Sequence, residues 1–408
     1  MDRRAFLTML AAGPAAGIIR PIRLSADLPK AKITRVRLYQ PPTPNPLFNQ
    51  SNMLVTVETD IGITGIGEGG AKDTLEQVAG TLIGKNPFQI EAIWQEAYIA
   101  WFYPPGREKT HALGALDLAL WDIKGKALGL PVHELLGGKT REHCECYPTT
   151  RPAGAKATTL KDRARETMEL GYRAFRMGAG EPPIGGVYDT RSIVRQIEQD
   201  CREVRDGVGP DGNWCIDFHQ RFDLNDAVRC CRAIEPYEPF FVEDPVRDEH
   251  ALADIPKLRP MTTVPLTHGE EWGLRWDFVR LVENHDIDFI RATLPNVGGI
   301  TEMMKIAAIC ETHAVGIVPH FTGPIATAAL VNCLSTFSGK VLMEYNYSGV
   351  PIDYLPQCLD FKAGKAYTNQ RPGLGVTLDL KRVTQIGEIT TPGRRNVYTR
   401  PDGSLTHW

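Results

Sequence analysis

The sequence predicts an α/β protein in which an N-terminal α+β module, residues 29–143, precedes a barrel of alternating strands and helices, residues 144–352. Two patterns lead to this prediction. A hairpin signal and three helical patterns fill the first part of the chain, and short apolar runs then alternate with longer amphipathic stretches. The last segment, 353–408, is rich in glycine and proline, and we expect it to pack back on the first module and complete it.

The first module opens with two β-like runs joined at Thr59-Asp60-Ile61-Gly62, which is a hairpin signal. Helical periodicity follows in three segments, Thr74–Ile83, Pro87–Tyr98 and His111–Leu128. The last of these patterns stops at Gly129 and Pro131, residue types that commonly end a helix. A hairpin followed by helices makes this part of the chain an α+β unit.

Gly65, Gly67 and Gly70 have the spacing of the dinucleotide-binding fingerprint. In nucleotide-binding proteins that motif follows the first strand of a parallel βαβ unit. Here the glycines lie in the second arm of a hairpin, so the sequence argues against a dinucleotide site.

From residue 144 onward, strand-like and helix-like segments alternate. The strand candidates are Cys144–Thr149, Tyr172–Met177, Trp214–Asp217, Phe240–Glu243, Val264–His268, Phe289–Arg291, Gly316–His320 and Val341–Glu344. The helix-length segments between them include Leu160–Leu170, Ser192–Val208, Asn225–Ile234, Arg275–Asn284, Thr301–Thr312 and Ile325–Ser335. Eight such repeats over roughly 200 residues are typical of a TIM barrel, whose chemistry lies at the carboxyl ends of the strands.

The first residues carry an export pattern. Arg3 and Arg4 precede Phe6-Leu7 and a short stretch, rich in glycine and alanine, that runs to Ile19. This pattern is typical of a twin-arginine signal, so residues 1–28 are expected to direct the protein to the periplasm. Because no clear A-x-A cleavage site is present, a frayed N-terminal arm on a cytoplasmic protein is the alternative.

Composition argues against several kinds of partner and site. A net charge of −3 gives no basic surface for nucleic acid, and no apolar run reaches the 18 residues of a transmembrane helix, so no membrane contact is expected beyond the export signal. The nine cysteines are odd in number, scattered and without a C-x-x-C pair, which argues against a disulfide framework or a zinc site. We expect most of them to be small apolar fillers.

Three successive strand candidates end in acids. Asp217, Glu243 and Glu270 are separated by 26 and 27 residues, and each strand–helix repeat carries the next acid to the neighbouring strand. Carboxylates that converge in this way repel one another unless a hard cation neutralises them, and ligation by oxygen alone suits Mg²⁺. The alternative is three separate surface acids, each paired with a lysine.

Several motifs, taken in order, resemble the enolase superfamily in its mandelate racemase-like branch. They are "WDIKGKALGLPVHELLGG", "CIDFHQRFD", "FVEDP", "THGEEWG", "DFIRATLPNVGGIT" and "VPHFTGPIATAAL". The resemblance implies a capping α+β domain over a modified (β/α)₇β barrel, and homo-oligomers of even number. It also implies one Mg²⁺ held by Asp217, Glu243 and Glu270. Glu271 is a rival third ligand, but the family motif places the ligand directly after a glycine, here Gly269.

Members of this superfamily remove a proton alpha to a carboxylate and form an enediolate. Racemases of the group commonly carry a K-x-K pair on the second barrel strand, where this chain has "FRMGAG" with Arg176 and no lysine. His219 resembles the histidine that acid-sugar dehydratases use as a general acid, a role that suits a side chain whose pKa lies near working pH. A structural histidine bonded to the backbone is the alternative.

His320 resembles the seventh-strand histidine that takes the α-proton in many dehydratases. In them it pairs with a sixth-strand aspartate, and this chain has Thr293 at that place, which weakens the base. In D-mannonate dehydratases, which also lack that aspartate, a tyrosine and an arginine on a loop serve instead. Tyr188 with Arg191 could stand in for them, or Tyr188 could simply pack the next helix. Glu344 is expected to hydrogen-bond the substrate or the ion's waters.

The resemblance is strongest to acid-sugar dehydratases of the D-mannonate and D-galactonate type. We therefore expect a lyase that binds Mg²⁺ and a small sugar acid, an aldonate, and removes water from it to give a 2-keto-3-deoxy acid. Two alternatives stay open. One is a racemase or epimerase of an α-hydroxy acid, and the other is a sugar-acid-binding homologue without turnover.

Overall fold

The computed structural model describes residues 28–45, 50–101, 103, 105–180, 185–347, 352–393 and 397–406. The first part of the chain contains strands β1 (Ile33–Gln40), β2 (Leu54–Thr59) and β3 (Thr64–Glu68), then helices α1 (Lys72–Ala79), α2 (Ile90–Ile99), α3 (Gly106–Leu128) and α4 (Val132–Leu135). The predicted export segment lies outside the described residues except for Leu28, so the twin-arginine signal stays a prediction. No helix in the described ranges is long and apolar enough to cross a membrane.

The second part alternates strands with helices. The strands are β4 (Cys144–Pro148), β5 (Ala174–Gly178), β6 (Asn213–Asp217), β7 (Phe241–Glu243), β8 (Leu266–His268), β9 (Phe289–Ile290), β10 (Gly316–Ile317) and β11 (Met343–Tyr345). The helices between them are α5 (Leu160–Glu169), α6 (Thr190–Val208), α7 (Leu224–Ile234), α8 (Ala251–Leu258), α9 (Arg275–Glu283), α10 (Ile300–Thr312) and α11 (Pro324–Thr336). The tail adds the short strands β12 (Asp360–Lys362), β13 (Lys365–Tyr367), β14 (Thr384–Ile389), β15 (Tyr398–Thr399) and β16 (Leu405–Thr406).

The eight strands from β4 to β11 run parallel in chain order. Strands β5 to β10 form one continuous parallel sheet, and β11 pairs in parallel with β4. Two backbone contacts join the pieces: Ile317 N–H donates to Lys340 O at 2.9 Å, and Arg173 N–H donates to Cys146 O at 2.9 Å. The strands therefore follow one another around a ring with a helix after each of the first seven, and the predicted fold class is confirmed.

The first part of the chain builds an antiparallel sheet in the order β14-β1-β2-β3, so the tail contributes an edge strand to it. The rest of the tail contacts both parts of the molecule. Leu374 N–H donates to Asp122 Oδ1 in α3 at 2.9 Å, and Gly373 N–H donates to Leu130 O at 2.9 Å, so this stretch lies on the first module. Strands β12 and β13 form a hairpin that pairs with β4 and so extends the barrel side of the molecule.

Gly65 and Gly67 are needed for packing. They lie in β3, which packs against α3, and a Cβ atom would come within 2.0 Å of Ala119 O at Gly65 and within 1.9 Å of Ala115 O at Gly67. Such distances are shorter than any van der Waals contact, so only glycine lets this strand approach the helix so closely. The spacing of these two glycines thus has a packing role between strand and helix.

Most predicted helices match the structure within two or three residues, but α8 was not predicted. Its eight residues include Pro256, which interrupts the helical pattern in the sequence although the structure tolerates it near the helix end. The nine cysteines are all buried free thiols, as their scattered spacing predicted.

Candidate active site

The pairing register brings the first two strand-end acids side by side. Asp217 is the last residue of β6 and pairs with Glu243, the last residue of β7, so both side chains leave the ring at one level. Both carboxylates are fully buried. Oxygen atoms of Asp217, Glu243 and Asp244 lie within 4.8 Å of one another, an arrangement that could hold a metal ion.

Asp244 was not among the predicted ligands. Its carboxylate also contacts the imidazole of His268. Its backbone has a φ of +46°, and its Oδ1 lies 3.0 Å from His268 Nδ1. The opposite ring nitrogen of His268 lies 3.3 Å from Asp248 Oδ1. Burial disfavours the charged ring, but the two flanking carboxylates outweigh it and raise the pKa of His268 to about 9. A charged imidazole therefore already neutralises Asp244.

Glu270 follows Gly269 after β8 and lies on the other side of the cluster. Its Oε2 is 3.4 Å from Arg291 Nη2 and 3.7 Å from His320 Nε2. Burial, followed by the negative charge of Asp244, raises the pKa of Glu270 well above its usual range. The rival ligand Glu271 points elsewhere, because its carboxylate is paired with Arg107 at 3.4 Å.

Arg291 is the main cation among these acids, and no role for it was predicted from the sequence. Its Nη2 atom lies 2.6 Å from Glu243 Oε1 and 2.6 Å from Glu344 Oε2, and its side chain is fully buried. Nη1 donates to the Tyr147 hydroxyl at 2.7 Å. The only signal in the sequence was the arginine in "IRAT", directly after an apolar run.

Asp217 faces two basic side chains on its outer side. Arg176, from β5, forms an ion pair with Asp217, the imidazole of His219 also contacts that carboxylate, and Arg176 Nη2 lies 3.0 Å from His219 Nε2. The backbone N–H of His219 also donates to Asp217 Oδ1 at 2.6 Å. Although burial opposes ionisation, the contact with His219 and the charge of Arg176 lower the pKa of Asp217. The three predicted residues are therefore in contact.

His320 lies across the ring from His219. The two histidines follow β10 and β6, which stand four strands apart in a ring of eight, so they occupy opposite points of the barrel mouth. His320 Nδ1 contacts the carbonyl of Phe321. Because a carbonyl only accepts hydrogen bonds, Nδ1 carries the proton and Nε2 keeps its lone pair. Burial is the main reason that the pKa of His320 is lowered, to about 4, so the ring is neutral at neutral pH.

Thr293 does not replace the missing aspartate. Its hydroxyl contacts two backbone carbonyls, Arg291 O at 3.0 Å and His320 O at 3.1 Å. It therefore holds the segment that carries His320 but gives the imidazole no negative partner.

Glu344 in β11 closes the cluster. Besides Arg291 it contacts the Thr149 hydroxyl, and it accepts a hydrogen bond from Phe321 N–H at 3.1 Å. Burial opposes ionisation, but the charge of Arg291 outweighs it and lowers the pKa of Glu344. Glu344 is thus a charged anchor between the first strand, the last strand and the segment of His320.

Tyr188 is not brought into the cluster. It is 43% exposed, and its charged neighbours are Arg221, Asp226 and Arg247. Burial is the first reason that its pKa is raised. Within the described ranges no hydrogen bond or ion pair joins it to Asp217, Glu243 or Glu270. Part of its loop, residues 181–184, lies outside those ranges, so a role as base stays a prediction.

The donor set fits a hard divalent cation. Glu243 Oε2 is buried without a hydrogen-bond partner in the described structure, and burial raises the pKa of Glu243 well above its usual range. An ion with oxygen ligands would satisfy that atom and relieve the repulsion between the acids. Of the predicted ligands, Asp217 and Glu243 belong to the group whose oxygens lie within 4.8 Å of one another, with Asp244 as its third member. Glu270 is not in that group and lies beside Arg291 and His320, so its role as the third ligand stays a prediction.

A cavity of about 660 Å³ lies among the segments that follow β6, β7 and β8. It is lined by Arg107, Gln220, Asp248, Glu249, Leu252, Glu271, Trp272 and Asp277. Two of these residues directly follow His219 and Glu270 in the chain, and Gln220 Nε2 lies 3.4 Å from Asp244 Oδ2. The four acids in this wall face one guanidinium, so the cavity is electronegative.

The sequence is similar to known families over most of its length. Residues 42–137 match the family described as mandelate racemase / muconate lactonizing enzyme, N-terminal domain, and residues 159–383 match the family described as enolase C-terminal domain-like. A D-galactonate dehydratase of Xanthomonas oryzae pv. oryzae is 35% identical over 393 residues, 92% of this chain and 100% of the relative. One from Pectobacterium atrosepticum is 34% identical with the same coverage.

Solved structures give the same relationship. A member of the enolase superfamily from Salmonella Typhimurium matches with a TM-score of 0.78 and 26% identity, over 88% of this chain and 100% of that one. A mandelate racemase/muconate lactonizing enzyme-like protein from a Roseovarius species matches with a TM-score of 0.78 and 26% identity, over 85% and 93%. Both halves of the chain thus match one family, and the protein belongs to the mandelate racemase / muconate lactonizing enzyme family of the enolase superfamily.

Proposed function

We propose that this protein is a Mg²⁺-dependent dehydratase that converts an aldonate to a 2-keto-3-deoxy acid. The observation that carries the proposal is the placement of two histidines on opposite sides of one carboxylate cluster. His219 contacts Asp217, and His320 faces Glu270 at 3.7 Å. Dehydration needs a base at the α-carbon and an acid at the β-hydroxyl, and this geometry supplies one candidate on each side.

The neutral ring of His320 suits the base. Its Nε2 lone pair points toward the cluster, where a substrate's α-carbon would lie, and it can take the proton there. A bound Mg²⁺ would supply electrostatic stabilisation of the negative charge that develops on the substrate carboxylate. His219 then gives a proton to the departing hydroxyl. Arg176, beside it, supplies positive charge at the same side of the site.

The cavity supports an aldonate over an aldarate. The hydroxylated tail of an aldonate can hydrogen-bond to the carboxylates of Asp248, Glu249 and Glu271. A second carboxylate at the end of an aldarate would meet negative charge instead, because Arg107 is already paired with two of these acids. The D-galactonate dehydratases to which this chain is similar point to the same class of substrate.

A racemase is less well supported, because Arg176 stands where such enzymes carry a lysine on the second barrel strand. A binding protein without turnover is the other alternative. Its sequence basis is Thr293, which leaves His320 without a carboxylate partner.

A screen of aldonic and aldaric acids with Mg²⁺, read out as 2-keto product, tests the proposal. Glu243→Gln serves as the inactive control, since it keeps the shape of the site. We expect product from at least one aldonate, none without the metal, and little from any aldarate. Binding of aldonates without product would favour the binding protein, and epimerised substrate would favour the racemase.

Two further properties are inferred from the sequence. We infer periplasmic localisation from the Arg3-Arg4 pattern. We infer an even-numbered homo-oligomer from the resemblance to the superfamily.

A further inference from the structure

Two buried acids of the N-terminal module contact the first turns of two neighbouring barrel helices. Glu68, the last residue of β3, accepts hydrogen bonds at Oε2 from Ile325 N–H at 2.6 Å and Ala326 N–H at 2.9 Å in α11. Asp117, in α3, accepts from Thr301 N–H at 3.0 Å and from the Thr301 hydroxyl at 2.6 Å in α10. Each carboxylate thus satisfies backbone donors that a helix start leaves unpaired.

Glycines at the helix starts make room for these carboxylates. A Cβ atom at Gly323 would lie 2.1 Å from Glu68 Cδ, and one at Gly299 would lie 2.4 Å from Asp117 Oδ2. Both acids are buried, both accept hydrogen bonds from backbone N–H groups at the start of a helix, and both pack against a glycine. The two contacts differ in the segment that precedes the helix.

The segment before α11 carries His320. This short stretch, residues 318–323, is fixed from three other directions. Thr293 contacts His320 O at 3.1 Å, Glu344 accepts from Phe321 N–H at 3.1 Å, and the Tyr347 hydroxyl contacts Thr322 O. Glu68, in the N-terminal module, fixes the C-terminal end of this segment through Ile325, two residues after Gly323.

We propose that Glu68 is a positioning residue that holds the His320 segment from the N-terminal module, so that the imidazole stays aimed at the carboxylate cluster. The inference rests on the proposed function, in which His320 takes the α-proton. A shift of the reacting groups by about 1 Å can cost about 10²-fold in rate, so a tether at Ile325 and Ala326, five and six residues after His320, can control turnover.

The chemistry of Glu68 indicates which replacement should keep the tether. Its Oε1 is buried without a hydrogen-bond partner in the described part of the chain, and burial raises the pKa of Glu68 to about 8. A largely neutral carboxyl resembles a glutamine amide in shape and in its accepting oxygen. Glutamine should therefore reach the same two N–H groups, whereas alanine removes the acceptor and aspartate falls one methylene short.

The experiment compares Glu68→Ala, Glu68→Asp and Glu68→Gln with Asp117→Ala, the matched control on α10. Three readouts are needed: amide hydrogen exchange of peptides spanning residues 318–327, the His320 position in crystal structures, and the separate kcat and KM for the substrate found by screening. The first two do not depend on turnover, so they remain informative if the proposed function is wrong.

We expect Glu68→Ala and Glu68→Asp to exchange faster over 318–327, to displace the imidazole, and to lower kcat by about 10- to 100-fold with KM changed less than about threefold. Glu68→Gln should restore both the protection and kcat. Asp117→Ala should raise exchange at the start of α10 while kcat stays within about threefold of the wild-type value.

Three results would overturn the inference. These are unchanged exchange over 318–327 in Glu68→Ala, an equal loss of kcat in Asp117→Ala, or a Glu68→Gln variant as slow as Glu68→Ala. If alanine prevents folding, Glu68→Asp and Glu68→Gln decide the question in the same way. A wild-type protein that dehydrates no sugar acid would refute the proposed function, while hydrogen exchange and the His320 position would still decide whether Glu68 holds the segment.

Discussion

Glu243 Oε1 and Arg291 Nη2 lie 2.6 Å apart, and both residues are fully buried. The same guanidinium also reaches Glu344 at 2.6 Å. A buried ion pair contributes little net stability, but removing one partner leaves an uncompensated charge. Arg291 therefore compensates the negative charge of two buried acids, Glu243 and Glu344.

Arg291→Met should lower the free energy of unfolding by about 3–5 kcal/mol in the presence of EDTA, because it leaves buried carboxylates without a positively charged partner. Mg²⁺ should recover part of that loss, since it neutralises the same acids. Lys257→Met, which breaks an exposed pair with Asp254, should cost less than about 1 kcal/mol. Urea unfolding measures both, and a loss below about 1 kcal/mol for Arg291→Met would contradict the role given to this residue.

Glu243→Gln should abolish tight Mg²⁺ binding while the fold is retained, because it removes one of three anionic ligands from a preformed site. Isothermal titration calorimetry measures the binding, and circular dichroism checks the fold. Glu271→Gln is the matched control, since this acid pairs with Arg107 outside the cluster. Binding equal to wild type in Glu243→Gln would refute the metal assignment.

The third ligand can be decided by the same titration. We expect Glu270→Gln to lose Mg²⁺ binding as fully as Glu243→Gln. Asp244→Asn should keep it, because Asp244 already has His268 as its cation. The opposite order would make Asp244 the ligand and Glu270 its neighbour.

His219→Asn should lower turnover by about 10²–10⁴-fold but should still exchange the substrate's α-hydrogen in D₂O, because the base is intact. His320→Asn should lose both activities. His285→Asn, an exposed histidine between α9 and β9, should behave as wild type. Proton NMR follows exchange and product together. Full dehydration by His219→Asn would show that His219 is not the general acid. Retained exchange in His320→Asn would show that another residue is the base, with Tyr188 the first candidate.

Glu68 should make stability depend on pH in a predictable direction. Its pKa is about 8 in the folded protein against an ordinary value of 4.5, so the unfolded chain loses this proton first as the pH rises. The stability linked to Glu68 is complete below about pH 4.5 and is lost by about pH 8, an effect of about 3–5 kcal/mol. Glu68→Gln should therefore gain stability relative to wild type over this window in denaturant titrations, and a constant difference would show that Glu68 does not titrate there.

Arg3→Lys combined with Arg4→Lys should leave the protein in the cytoplasm, because the arginine pair is the part of a twin-arginine signal that the translocon reads. Cell fractionation of both forms measures this. Equal recovery of the double variant from the periplasm would count against the signal.

The sequence predicted the structure correctly where one repeating pattern covered many residues. The repeat of strand and helix predicted the barrel, and the positions of Asp217 and Glu243 at strand ends predicted that they meet. It was insufficient where a side chain's direction depends on a local backbone twist, as in the positive φ that turns Asp244 toward His268. The inward direction of Arg291 could not be predicted for a different reason: its partners Glu243 and Glu344 come from strands far apart in the chain, and no local pattern marks them.

The placement of His219 and His320 at opposite points of the ring has a stereochemical consequence. Under the proposed roles, the α-proton leaves toward one wall of the barrel and the β-hydroxyl toward the other. That is an anti elimination, and it requires a substrate whose hydrogen at C2 and hydroxyl at C3 can point in opposite directions while the carboxylate is held. The order of the strands, which sets the positions of the two histidines, would thus select which diastereomers of a sugar acid can react.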